Sequence, residues 1–292
     1  MSGDDVVTEA TDQPHAAGTR LGPARSKRLL VTLLGDFWVE GQPPIPSATL
    51  VRLLEEFGIA PANARAALSR LTQQGLLRRT KQGRRTSYAP TEHALRTLQR
   101  GGERIFRRDD GDPWDGTWTL VAFSLTSGDG ELRRLLRARL RWLTFAPIFD
   151  ATWVTPHDRV VQVHEQLDEL GITDAIVLRS RDVELLPGGR SRLEQAWRIG
   201  ELAERYESFL SRYHDLAVRA DRDEVDAAEA LILRTELVDD WRRLVRDDPD
   251  LPAEFLPEGF PRKRARALFL DTYQALSEGA RARFDELVSA GP

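Results

Sequence analysis

The chain has 292 residues, 41% of them hydrophobic, enough for two or three domains with real cores. It holds no cysteine, which excludes disulfides, thiolate metal sites and cysteine nucleophiles, and no apolar run approaches the roughly 20 residues that span a bilayer. A formal net charge of -4 hides an asymmetry: residues 1–24 hold four acids and one arginine and residues 25–107 hold fifteen basic and six acidic groups, which leaves -10 for the remainder. A basic module joined to an acidic body points to a polyanionic partner.

Residues 1–24 are acidic and lack an apolar core of the signal-peptide kind, so they read as a disordered tail in a cytoplasmic protein. In "SKRLLVTLLGDFW", Leu30, Leu33, Leu34 and Phe37 recur at helical spacing, with Ser26 as N-cap. Leu50, Leu53, Leu54 and Phe57 repeat the pattern up to Gly58. A third helix starts near Pro61 and stops at Gly75. "LLRRTKQGRRTSYAP" then reads as two strands joined at Gln82-Gly83. Three helices and a hairpin, over residues 25–92, are the order of a winged helix-turn-helix. A helix capped by Thr91 and an acidic Gly/Pro-containing loop form a linker over residues 93–113.

From Trp114 to residue 190 the spacing predicts β-α-β-α-β-β, with "IFDATWVTP" as one strand and "DVELL" as the last. This is a small α+β sandwich of ferredoxin-like type. Trp118, Trp142 and Trp153 are expected to fill its core. The Arg-rich helix "ELRRLLRARLRWL" could lie on a membrane, touch DNA or simply show the sandwich a solvated outer face. Residues 191–292 are helical throughout, with "SRLEQAWRIGELAERYESFLSRYHDL" as one long helix.

The stretch from Asn63 to Tyr88 carries seven Arg or Lys and no Asp or Glu. Ala64, Ala67, Leu68 and Leu71 share one face of the third helix and would pack inward. Asn63, Ser69, Arg70 and Gln73 share the opposite face, with Arg65 on a flank. These are side chains that read base edges in a major groove, beside small alanines that allow close approach. The hairpin brings Arg78, Arg79, Lys81, Arg84 and Arg85 to phosphates or an adjacent minor groove. Acids here would repel phosphates, whereas cations release counterions on binding. The five histidines make no i, i+4 ligand pair, so neither a metal site nor a cofactor is expected.

Four segments carry a resemblance: "LLVTLLGDFW", "NARAALSRLTQQGLLRRTKQGRRTSYAPTEHALR", "PWDGTWTLVAFSL" with "LRARLRWLTFAPIFDATWVTPHD", and "WRRLVRDDPDLPAEFLP". In this order they resemble the phenylacetate-degradation repressor (PaaX) family of bacterial regulators. The resemblance implies a dimeric repressor on an inverted-repeat operator, with a Cas2-like middle domain, released by an acyl-CoA or aryl-CoA thioester. Trp197, Tyr213 and Trp241 are expected first to pack between helices and could alternatively line an acyl pocket, with Arg242, Arg243 and Arg246 as candidates for the phosphates. Where many members of the family carry Asp, this chain has Ser124. Where many carry His-Glu, it has Asp239 and Asp240. Two rival readings remain: an architectural DNA binder without effector, and a metal-dependent nuclease on the Cas2-like domain. The nuclease would need carboxylates at a strand end, and Ser124 occupies the obvious place for one.

Overall fold

A computed structural model describes residues 23–38, 43–106, 114–126 and 128–290. The expected tail lies outside them except for its last two residues, which open α1 (Pro23–Phe37). Ser26 is therefore not a cap. It lies inside α1, fully buried, with no hydrogen-bond partner for its Oγ.

The N-terminal elements stand in the expected order. After α1 come β1 (Ile45–Pro46), α2 (Ser47–Glu55), α3 (Pro61–Gln73), β2 (Leu77–Gln82) and β3 (Arg85–Pro90). The three strands form a sheet in the order β1-β3-β2. The apolar faces read from the sequence are the buried ones, from Leu30 and Phe37 on α1 to Leu68 and Leu71 on α3. Next, α4 (Glu92–Phe106) begins at Thr91, whose Oγ1 accepts the Ala94 N–H at 3.1 Å.

The middle domain is a ferredoxin-like sandwich with a different element order. It runs β4 (Trp118–Phe123), α5 (Gly130–Trp142), β5 (Ala146–Phe149), β6 (Thr152–Thr155), α6 (Val160–Glu169) and β7 (Ala175–Ser180). The order is β-α-β-β-α-β, and the antiparallel sheet reads β5-β6-β4-β7. "IFDATWVTP" is thus a hairpin that turns at Asp150-Ala151, and "DVELL" forms no strand because no other strand pairs with it. One sheet face packs on α5 and α6 through Val121, Trp153, Leu136, Leu140 and Val163. Trp118 and Trp153 are buried as expected. Trp142 is not: it ends α5 on the solvent side and is 81% exposed.

The expected single helix after residue 190 is two, α7 (Pro187–Ala196) and α8 (Ile199–Asp221). The break is tertiary in origin. Trp197 packs with Trp118 and Phe255 against the other sheet face and donates its indole N–H to the Thr144 carbonyl at 3.1 Å. Arg198 takes a left-handed φ of 53°. Then follow α9 (Ala227–Asp247), a 3-10 turn at Ala253–Phe255, α10 (Arg262–Ala275) and α11 (Ser277–Ser289). These helices do not form a separate core. A single apolar cluster runs from Leu29, Phe37 and Leu54 to Tyr206, Trp241, Phe269 and Phe284. The N-terminal helices and the C-terminal helices are one packed body.

Candidate nucleic-acid interface

Helix α3 forms because Pro61 fixes φ at the first turn and four alanines follow within six residues. It stops at Gly75, whose φ is 69°. Gly75 N–H donates to the Thr72 carbonyl and Leu76 N–H to the Leu71 carbonyl, the paired closure of a Schellman cap. The hairpin closes with Gln82 opposite Arg85, which leaves Gly83-Arg84 as a two-residue loop with Gly83 at φ 58°. Leu77, Tyr88 and Ala89 anchor it in the core, and Ile45 of β1 pairs with Tyr88. Thr91 fixes the hairpin to the end of α3: its Oγ1 donates to the Gly75 carbonyl at 2.7 Å and its N–H to the Leu76 carbonyl at 3.1 Å. Helix and hairpin therefore present one continuous surface.

Arg65, Ser69 and Gln73 of α3 and Arg78, Arg79, Lys81, Arg84 and Arg85 of the hairpin are exposed, while Asn63 and Arg70 are half-buried. None of the seven cations in this stretch makes an ion pair with any described residue. Elsewhere many arginines are paired, among them Arg139 with Glu169, Arg205 with Asp247, Arg219 with Glu229 and Arg264 with Glu207. Seven cations left free in an acidic protein make a surface of single sign that can hold phosphates without first breaking an internal ion pair.

The six residues expected around an acyl-CoA do not gather at one place. Trp197 belongs to the cluster on the sheet, while Tyr213 and Trp241 belong to the helical core. Trp241 is fully buried, donates its indole N–H to the Ile105 carbonyl at 3.0 Å and stacks on Phe269. Tyr213 donates to Asp240 at 2.8 Å, and burial followed by the Asp240 charge pushes its hydroxyl pKa well up. Arg242 pairs with Asp239 at 3.0 Å, Arg243 with Asp240, and Arg246 with Asp247 at 3.0 Å. Asp239 also accepts from Arg28 of α1 at 3.3 Å, so this acidic pair stands where α9 meets the N-terminal helices.

Sequence reasoning missed that junction. Arg234 of α9 grips Asp36 of α1 with two hydrogen bonds of 2.8 and 2.9 Å, and both side chains are buried, at 8% and 3% exposure. Tyr273 of α10 donates to the same carboxylate at 2.6 Å and lies under the Arg234 guanidinium at 3.9 Å. Burial alone would lower the pKa of Arg234, but the hydrogen bonds and charge of Asp36 outweigh it and raise the value. Around this pair, Phe37 stacks on Phe284, Arg25 meets Glu236 at 2.6 Å and Arg283 meets Glu56 at 2.8 Å. An acid between Leu34 and Phe37, in the otherwise uncharged stretch from Leu29 to Trp38, was the available signal.

Among the described residues no group of three His, Asp or Glu could hold a metal ion, and Ser124 is exposed just beyond β4. No described helix is long and apolar enough to cross a membrane.

Three family descriptions match in succession: "PaaX-like protein" over residues 24–94, "PaaX protein central Cas2-like domain" over 111–191 and "PaaX-like protein C-terminal domain" over 197–286. The chain belongs to the PaaX family. It is 28% identical over 270 residues to the transcriptional repressor PaaX of Escherichia coli strain K12, covering 90% of this chain and 84% of that protein. Among solved structures it is similar to the uncharacterized protein Rv0674 from Mycobacterium tuberculosis. There the TM-score is 0.58 at 21% identity, over 87% of this chain and 97% of the other, which is a likeness of fold.

Proposed function

We propose that this protein is a DNA-binding transcriptional repressor, working as a homodimer in the cytoplasm on an inverted-repeat operator. The observation that carries the reading is the surface of α3 and its hairpin, with seven cations and no internal ion pair. In this reading α3 is the recognition helix and the hairpin is the wing. Asn63, Ser69, Arg70 and Gln73 face base edges, while Arg65, Arg78, Arg79, Lys81, Arg84 and Arg85 hold phosphates. A binding protein rather than an enzyme also agrees with the repressor named among its relatives.

Membership in the PaaX family supports a CoA thioester as the signal that releases DNA. Such a ligand acts only through its differential affinity for the free and DNA-bound states, and typical couplings are roughly 1–3 kcal/mol. The junction of α1 with α9 and α10 offers a route for that coupling, because any shift of α9 is felt at Asp36 and Asp239. The test is a mobility-shift titration on the protein's own promoter DNA, with phenylacetyl-CoA, other acyl-CoAs, free CoA and the free acids. A thioester is expected to raise the apparent Kd about 5–150-fold. Equal potency of the free acids, or no shift with any thioester, would remove the effector part and leave DNA binding standing. DNA shortened in Mg²⁺ or Mn²⁺ would instead favour a nuclease.

A further inference from the structure

The sheet of the Cas2-like domain and the helical body have separate cores. The sheet face away from α5 and α6 packs on Leu193 and Trp197 of α7 and on Leu251 and Phe255, which belong to a strap formed by residues 249–259. The helical body has the other core, which it shares with α1, α2 and α3. Phe260 packs against both, and Ile199, the first residue of α8, belongs to the sheet cluster.

The chain passes between these cores at left-handed residues. Arg198 (φ 53°) separates α7 from α8, Asp250 (φ 56°) follows α9 into the strap, and Gly259 (φ 73°) leads out of it towards α10. Thr144, at φ 71°, presents the carbonyl that accepts the Trp197 indole N–H. Three of the four non-glycine left-handed residues among the described residues thus stand at this seam. Arginine and β-branched threonine rarely adopt such backbone, and it persists where packing holds it, often in a segment that switches. The strap rides on the Cas2-like side. Its Pro249 carbonyl lies 3.1 Å from His157 Nε2, and its Glu254 carbonyl accepts from Arg190 Nη2 at 2.8 Å.

We propose that Arg198 is a two-state hinge, with Asp250 and Gly259 as its second pivot. About it the Cas2-like domain, α7 and the strap turn as one piece against the body that carries α3. The second state is written in the sequence, where "SRLEQAWRIGELAERY" reads as one helix. Trp197 is already right-handed, so a change at Arg198 from left- to right-handed joins α7 to α8. At about 100° per residue, Trp197 and Ile199 stand on opposite sides of the joined helix. Trp197 therefore keeps its place on the sheet while Ile199 leaves the sheet cluster and stays with Leu202 on the body. The Arg198 side chain is exposed and meets Glu201 one turn on, so it does not itself hold the bend.

The use of the hinge rests on the proposed homodimer on DNA, in which its angle sets the separation of two α3 helices and so the half-site spacing that fits. The hinge itself is tested without DNA. The protein contains no cysteine, so spin labels on Glu165→Cys of α6 and Glu204→Cys of α8, both exposed, report one distance across the seam. Dilution into excess unlabelled protein confines the reading to one chain. Double electron–electron resonance should show two distances. Arg198→Val, which resists left-handed backbone, should enrich the second one, and Arg198→Gly should deplete it, the ratio of states differing about 5–30-fold between them. A single distance, the same in both variants, would overturn the hinge. On promoter DNA the two variants should move the operator Kd in opposite directions and bind random DNA alike. Equal operator affinity would overturn the link between hinge and recognition. A wild-type protein that binds no DNA would sink the proposed function and leave the distances standing.

Discussion

Replacing Arg234 with methionine probes the seam between the N-terminal helices and the rest of the protein. The substitution keeps the volume and removes the charge. Asp36, 3% exposed, then keeps only the Tyr273 hydroxyl as a described partner and loses two hydrogen bonds of 2.8 and 2.9 Å. Stranding a buried charge in this way costs about 3–5 kcal/mol. At a urea slope of about 2 kcal/mol/M, the unfolding midpoint should fall by about 2 M. Tryptophan fluorescence can follow it, since Trp38 and Trp241 lie in the shared core. The companion variant Asp36→Leu/Arg234→Met removes both charges together and should recover most of the loss, because an apolar pair of similar volume replaces a buried ion pair nearly neutrally. The double-mutant cycle should thus yield a coupling of about 3 kcal/mol. A single variant that costs under about 1 kcal/mol, or a double variant no more stable than the single, would refute the reasoning.

Arg84→Ala or Arg85→Ala should weaken DNA binding about equally on all sequences and lower the slope of log K against log salt by roughly 1 for each phosphate no longer neutralised. An unchanged slope would count against the wing. Arg70→Ala should cost roughly 1–3 kcal/mol on the operator and much less on random DNA, measured by competition; equal losses would mean that Arg70 holds a phosphate. Thr91→Ala removes the cap of α4 and the tie to Gly75, and should lower stability by about 1 kcal/mol in urea unfolding.

The N-terminal elements were legible because their signals are local. Alternating faces, Pro61 at a helix start, and Gly75 and Gly83 in left-handed backbone each act within a few residues. The middle domain was misread in order because its hairpin turns at Asp150-Ala151, without the glycine or proline that usually marks a turn. Helices α7 and α8 looked continuous because their break is imposed from outside, by Trp197 anchoring on Thr144. Trp142 was expected in a core and is not in one, and the reason is general. Periodicity says that a side chain is apolar and on which face it lies, but not which element comes to cover it. None of the described residues buries Trp142, while Trp241 is enclosed by Phe209 and Phe269 in the packing role first expected of it. The seven cations were legible by composition, and their lack of ion pairs only by structure.

The shared core also bears on how the protein is made. Phe37 needs Phe284, Asp36 needs Arg234 and Tyr273, and Glu56 needs Arg283, partners 198 to 247 residues later in the chain. A ribosome that has finished α3 and the hairpin has exposed every cation of this basic surface, yet the helices behind it still lack Arg234, Tyr273, Arg283 and Phe284. At roughly 5–20 residues per second, the gap lasts on the order of ten to forty seconds. During that interval the nascent chain carries a polyanion-binding surface on an incomplete scaffold, and a chain cut short before α10 never completes it. The packing of α1 is thereby complete only in molecules translated through α11.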